Sequence, residues 1–205
     1  VYKIDAKGRK TKLSAKEGTN RAIFSKSMKY YINTFTNITT PPVITINDNT
    51  GKTLTTLVDN KRLAEKVANL HMPSKEFFTF TTSDGVELNG WMMKPANFDA
   101  NKKYPVIMHQ YSGPGSQRVL DQWNIGSRSD GGMFEAYMAD HGFISVCVDG
   151  RGTGGRGAEF EKCTYMNLGV KEARDQVETA LYLGTLPYVD AKNIGIWGWS
   201  FGGYT

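Results

Sequence analysis

The sequence predicts an α/β unit on a mostly parallel sheet, preceded by a short all-β segment. Three observations carry this. Up to residue 58, β-branched and aromatic runs are broken by Gly, Asn and Ser, without helical period. From residue 74, short apolar runs alternate with amphipathic stretches, as in strands joined by helices. The chain has 205 residues, 40% hydrophobic and 22% charged, a balance unlike disordered chains or membrane bundles. Domains run to roughly 150 residues, so one or two are expected. No apolar stretch approaches the ~18 residues of a spanning helix. Two cysteines cannot staple a chain this long, so a real core must hold it.

The first segment is expected to form four short strands: Val1–Asp5 continuing towards Leu13, Arg21–Ser25, Lys29–Thr36 and Val43–Asp48. Gly8, Gly18, Ser27 and Asn49-Thr50-Gly51-Lys52 punctuate them, and Pro41-Pro42 precedes the last. Such a segment has the size of one blade of a β-propeller, with a small independent meander as the alternative. Residues 1–70 carry 13 Lys/Arg against 5 Asp/Glu. These lysines stand singly beside turns, so they read as a solvated rim that discourages edge pairing rather than a nucleic-acid surface. Asp59-Asn60 opens a linker helix with Leu63, Val67 and Leu70 on one side, stopped by Pro73.

In the second segment, Phe77–Thr82 and Val86–Lys94 flank the turn Ser83-Asp84-Gly85. Pro105–His109 and Ile144–Val148 are strands of the fully buried type. Met133–Asp140 is expected to be a helix with Met133, Phe134, Tyr137 and Met138 on its apolar face. Lys171–Leu183 is expected to bury Val170, Ala173, Val177, Ala180 and Leu181. Asn193–Trp197 is the last strand. The expected divisions are therefore 1–58, a linker over 59–73, and 74–205.

The chemistry-bearing motif is Gly198-Trp199-Ser200-Phe201-Gly202, a G-x-S-x-G pattern after an apolar strand. A serine on such a strand-to-helix turn sits on strained backbone, and the flanking glycines remove side chains that would collide. This is expected to be the nucleophile elbow of an α/β-hydrolase, with a structural Gly-Ser turn as the alternative. Ser200 is the candidate nucleophile, and the Phe201 backbone N–H is one oxyanion donor. The second donor belongs in the loop after the first parallel strand, where Tyr111 carries a phenolic O–H; packing beneath the Gly113-Pro114 turn is its structural alternative. A serine nucleophile needs a histidine base and an orienting carboxylate, which follow it in hydrolases of this type. His71, His109 and His141 all precede Ser200. His109, ending a buried strand, is the one of the three to watch. Cys147 and Cys163 read as free thiols, and Trp91, Trp123 and Phe134 as core or interface aromatics. Neither paired metal-ligand spacing nor a cofactor motif is present, so no metal or cofactor is expected.

Tyr104-Pro105-Val106-Ile107, Tyr111-Ser112-Gly113-Pro114, Asp149-Gly150-Arg151-Gly152, Glu172 with Asp175-Gln176, and Ile196–Tyr204 around Ser200 together resemble the prolyl oligopeptidase family. Trp199 and the segment Met72-Pro73-Ser74-Lys75 are similar to its dipeptidyl peptidase IV branch. The resemblance implies a β-propeller before an α/β-hydrolase domain, with residues 1–58 as the closing blade. It implies Ser200 as nucleophile, and Tyr111 and the Phe201 N–H as oxyanion donors. Phe201, where the family usually has Tyr, would line the substrate pocket, and Trp199 would flank the leaving-group side. Asp149 and Arg151 would be structural charges. It further implies removal of N-terminal dipeptides after Pro or Ala, peptide substrates, a homodimer and export.

Val1 already lies in an expected strand and Thr205 in an expected helix, so the chain reads as a piece of a longer protein. The triad Asp and His would then lie elsewhere, and this piece alone would be inactive. The alternatives are a tripeptidyl or acylaminoacyl peptidase or an endopeptidase of the same family, a carboxylesterase, and a non-catalytic interaction protein that kept the elbow.

Overall fold

The computed structural model describes residues 1–70, 72–73, 75–124 and 132–205, in two compact units, Val1–His71 with Leu120–Trp123 and Met72–Val119 with Asn124–Thr205. In the first unit, β1 (Tyr2–Ile4) and β2 (Lys10–Lys12) make a small antiparallel hairpin. A four-stranded antiparallel meander follows in chain order: β3 (Thr19–Phe24), β4 (Tyr30–Thr36), β5 (Val43–Asp48) and β6 (Thr53–Val58).

Two strand expectations are corrected here. The stretch from Val1 towards Leu13 folds on itself and is not in the meander, whose last strand is instead Thr53–Val58. The cause is the Asp48 carboxylate, which accepts hydrogen bonds from Thr50 N, Thr50 Oγ1 and Lys52 N. That closes Asn49–Lys52 as a hairpin turn, so the β-branched run beyond it returns along β5. Tyr31, Asn33 and Phe35 are buried on one face, while Ile23 and Ile32 on the other are exposed. The hairpin lysines 3, 7, 10 and 12 are exposed. Asp121 completes this unit by accepting from Thr19 N and Thr19 Oγ1 at its carbonyl and from Ile38 N at its carboxylate. Helix α1 (Lys61–Ala68) begins where expected but ends before Pro73.

The second unit is built on a five-stranded sheet. β7 (Lys75–Thr81) and β8 (Glu87–Met93) form the expected hairpin; β9 (Tyr104–His109), β10 (Ile144–Asp149) and β11 (Val189–Trp197) supply the parallel part. The order is β11-β9-β10-β8-β7, with β9 parallel to both β11 and β10, and β8 antiparallel to β10. Successive residues face opposite sides. Met92 joins Val106, Met108, Val146, Val148 and Leu183 in one apolar cluster, while Met93 joins Ala136 and Ala139 in another. Helix α4 (Val170–Gly184) supplies Leu183 to the first and α2 (Met133–Asp140) supplies the alanines of the second, so the two faces of the sheet carry different helices. A short α3 (Ala158–Lys162) lies between β10 and α4 in the chain.

Both helix faces differ from expectation. In α4, Val177 is 60% and Leu181 65% exposed, whereas Glu172, Asp175, Gln176 and Thr179 are buried. The helix lies against the loops that follow β9 and β10, whose backbone groups need polar partners once water is removed. Gln176 Nε2 donates to Val148 O (3.2 Å) and Ser112 Oγ (3.3 Å). Asp175 accepts from Arg151 N (2.6 Å), Nε (3.1 Å) and Nη2 (2.6 Å). In α2, Met133, Phe134 and Tyr137 are exposed, and Glu135, Ala136 and Ala139 are buried. Small side chains allow close approach to β10, where Ser145 Oγ donates to Glu135 O (3.1 Å).

Arg151 also binds Asp84 (2.8 Å), tying the β7–β8 turn to the same charge. Thr82 Oγ1, then Arg151, hydrogen-bond the Asp84 carboxyl and hold its pKa down at about 2. Removing Asp175 takes from Arg151 its fully buried partner and leaves Asp84 alone against the charge, so Asp175→Ala should lower stability by about 3 kcal/mol in urea unfolding. Val177→Ser, on the exposed apolar stripe, should change it by no more than about 0.5 kcal/mol. Because the folded state lowers the Asp84 pKa from an ordinary value of about 3.9, its contribution is complete above that pH and is lost as pH falls towards about 2. Acid titration of stability should therefore be shallower between those limits in Asp84→Asn than in the parent.

Candidate active site

Strand β11 runs beside β9 with Trp197 opposite His109, and delivers the next residues to the carboxyl end of the parallel strands. There the chain turns sharply. Ser200 has φ 53° and ψ −123°, a left-handed conformation that costs a non-glycine residue about 1–3 kcal/mol. Gly202 N bonds Trp199 O (2.9 Å) and Gly203 N bonds Ser200 O (3.0 Å), starting the short α5 (Phe201–Tyr204). Ser200 is exposed at the tip.

Two glycines make the turn possible by letting backbone meet backbone. A Cβ on Gly198 would stand 2.7 Å from Gln110 O, and one on Gly202 3.0 Å from Tyr111 Cα and closer still to Gln110 O. Gln110 closes the contact: its N donates to Trp197 O (3.1 Å), and its Nε2 donates to Gly202 O and to Thr205 Oγ1 (3.0 Å). It is buried, and its signal in the sequence is its place between the apolar strand and the Tyr111-Ser112-Gly113-Pro114 segment.

The same contact brings Tyr111 to the turn. Its ring centroid lies 6.2 Å from that of Trp199 and 6.4 Å from that of Phe201. Ser112, the next residue, has φ 56° and accepts the Gln176 amide, so the loop is braced from α4. Among the described residues the Phe201 N–H has no hydrogen-bond acceptor, which leaves it available to a developing oxyanion. The structure thus gathers Ser200, Tyr111, Phe201 and Trp199, all named from the sequence. Trp199 is half exposed beside the serine and Phe201 is partly buried.

The histidines fall elsewhere. His109 is 1% exposed, its ring stacked on Trp197 (4.5 Å) and its Nδ1 3.7 Å from Glu135 Oε1, the position of a core histidine. His141 Nδ1 contacts Tyr137 O (2.8 Å) at the end of α2. His71 lies outside the described residues. Asp149 accepts from Arg118 N (3.0 and 2.9 Å) and Val119 N (2.7 Å), and Arg151 is bound as described above. Both therefore hold loops. Cys147 and Cys163 are free thiols. Trp91 is fully buried, whereas Phe134 is 45% exposed and meets Trp197 edge-on (5.0 Å). Among the described residues, no cluster of three His, Cys, Asp or Glu side chains is placed to hold a metal, and no helix is long and apolar enough to cross a membrane.

A serine on a strained strand–turn–helix, at the carboxyl end of a parallel sheet with helices on its faces, defines the nucleophile elbow of an α/β-hydrolase. Residues 133–205 match the profile of the prolyl oligopeptidase family. A probable dipeptidyl peptidase 4 of Aspergillus flavus is 36% identical over 186 residues, which are 89% of this chain and 23% of that protein. A probable dipeptidyl-aminopeptidase B of Sclerotinia sclerotiorum is 38% identical over 210 residues, covering 100% of this chain and 22% of its own. The crystal structure of Porphyromonas gingivalis dipeptidyl peptidase 4 superposes with a TM-score of 0.93 at 52% identity, over 100% of this chain and 28% of that one. The chain belongs to the prolyl oligopeptidase family and resembles its dipeptidyl peptidase IV members. It spans 22–23% of the length of these two curated relatives.

Because a 1 Å displacement of reacting groups can cost about 100-fold in rate, Gly202→Ala should slow fluorophosphonate labelling of Ser200 in the full-length gene product by about that factor. Gly195→Ala, whose Cβ would meet nothing closer than Ile107 Cδ1 at 3.6 Å, should leave labelling unchanged.

Proposed function

We propose that the protein carrying this chain is a serine peptidase that removes dipeptides from peptide N-termini, after Pro or Ala. The observation that supports this most is the exposed, strained Ser200 with Tyr111 and the Phe201 N–H beside it. The names of the relatives point to the same activity. In this reading Ser200 Oγ attacks the carbonyl carbon of the second residue while its proton passes to a histidine base. The carbonyl oxygen becomes an oxyanion, held by the Phe201 N–H and the Tyr111 hydroxyl. Collapse of the adduct breaks the amide bond, and the base returns the proton to the departing amine. Water then attacks the acyl-enzyme and frees the dipeptide.

The chain's own part is the nucleophile and the oxyanion donors. Phe201 and Trp199 are assigned to substrate contact, with the Phe201 ring lining the pocket for the residue before the cleaved bond. His109 is sealed in the core and His141 caps a helix; on the family resemblance, the base is assigned to sequence outside these 205 residues, together with its carboxylate and the groups that grip the substrate amine. Residues 1–58 are assigned to a propeller blade. Their four-stranded meander, apolar on an exposed face, suits stacking against neighbouring blades. Peptides are the substrates; homodimerisation and export rest on family resemblance.

The test is hydrolysis of Gly-Pro-p-nitroanilide by the full-length gene product. Ser200→Ala should abolish turnover, and Tyr111→Phe should lower kcat by about 10²–10³-fold, as loss of one oxyanion donor does elsewhere. The 205-residue chain alone should give none. Hydrolysis of p-nitrophenyl acetate without the dipeptide substrate would favour an esterase instead.

A further inference from the structure

We propose that Arg118 is a positioning residue for the oxyanion donor: its cation lies on the face of the Tyr111 ring and strengthens the phenolic O–H as negative charge forms. This rests on the peptidase reading above. The guanidinium carbon stands 4.5 Å from the Tyr111 ring centroid, within the range of a cation–π contact.

The arrangement is built from the backbone outward. Asp149 clamps the N–H groups of Arg118 and Val119, and the Arg118 carbonyl accepts the Trp91 indole N–H (3.4 Å). Asp149 ends the buried strand β10, and Trp91 lies wholly in the core. The Cα of Arg118 is thus fixed to rigid parts of the sheet. Tyr111 is held from other directions, by its neighbour Ser112 through Gln176 and by the tilted Trp199 and Phe201 rings 6.2 and 6.4 Å away. No room remains on the Gly113 side, where a Cβ would stand 2.5 Å from Tyr111 Cε1. The phenol is caged, and the Arg118 cation on its ring face is anchored separately from it.

The physical consequence follows from when the attraction is largest. A cation is drawn to the electrons of an aromatic face, and more strongly as the ring gains negative charge. When the Tyr111 hydroxyl donates to an oxyanion, its oxygen and ring become more electron-rich. Part of the Arg118 contact is therefore realised only in the transition state, which raises kcat rather than substrate affinity. The charge also stands in a partly buried place, where water screens it less.

The experiment is steady-state kinetics of the full-length gene product on Gly-Pro-p-nitroanilide with Arg118→Met, Arg118→Gln and Arg118→Lys, each also placed in a Tyr111→Phe background. The neutral variants should lower kcat by about 10-fold, with KM within twofold, and Arg118→Lys should recover most of the loss by restoring the charge. In the Tyr111→Phe background, where no hydroxyl is left to strengthen, the neutral variants should have little further effect. Arg118→Gln carries the test if Arg118→Met fails to fold. The proposal is overturned if the neutral variants keep kcat within twofold, if the loss appears in KM alone, if lysine does no better than methionine, or if the loss is the same without the Tyr111 hydroxyl. A parent protein with no turnover would instead overturn the peptidase reading on which this one stands.

Discussion

Backbone lies directly against backbone where the nucleophile turn meets the loop after β9. Gly198 and Gly202 leave no side chain between the turn and the Gln110 carbonyl, and the Gln110 amide binds the far side of the turn at Gly202. Everything chemical follows from that approach. It places Tyr111 beside the serine and frees the Phe201 N–H by forcing the sharp entry into α5. A strained Ser200 persists because packing on both sides over-determines it.

The second constraint is polar. Loops at the carboxyl ends of parallel strands cannot satisfy their own N–H and C=O groups, so another element must do it. Here the buried face of α4 does, through Asp175 on Arg151 and Gln176 on Val148 and Ser112. Asp149 does the same for Arg118 and Val119. The charges look like active-site groups because they surround the site, yet each is spent on a loop.

Much of this was legible one residue at a time. The β7–β8 hairpin, strands β9 to β11 and the span of α2 follow from local composition, and the elbow from glycine spacing after a strand. The two helix faces differ from expectation for one reason. Apolar spacing shows that a helix has an apolar side, but not that this side faces inward. In α4 the neighbours are loops rich in unpaired backbone groups, so polar side chains are buried and Val177 and Leu181 are not. In α2, alanine fits the gap to β10 where methionine and phenylalanine do not. Thr53–Val58 is rich in β-branched residues, as strands are, but only its pairing with β5 shows it to be the last strand of the meander.

Residue order alone was enough to reveal most strands and helices of the second unit, the serine and its glycine neighbours, and the phenol expected across from it. These are short-range matters, set by allowed backbone angles and side-chain size. Three-dimensional packing was needed to find Gln110 in the contact beneath the turn, to bury His109 against Trp197 and Glu135, and to lay Arg118 across Tyr111. Those pairings join residues far apart in the chain or on different loops. Their geometry depends on the sheet having assembled first.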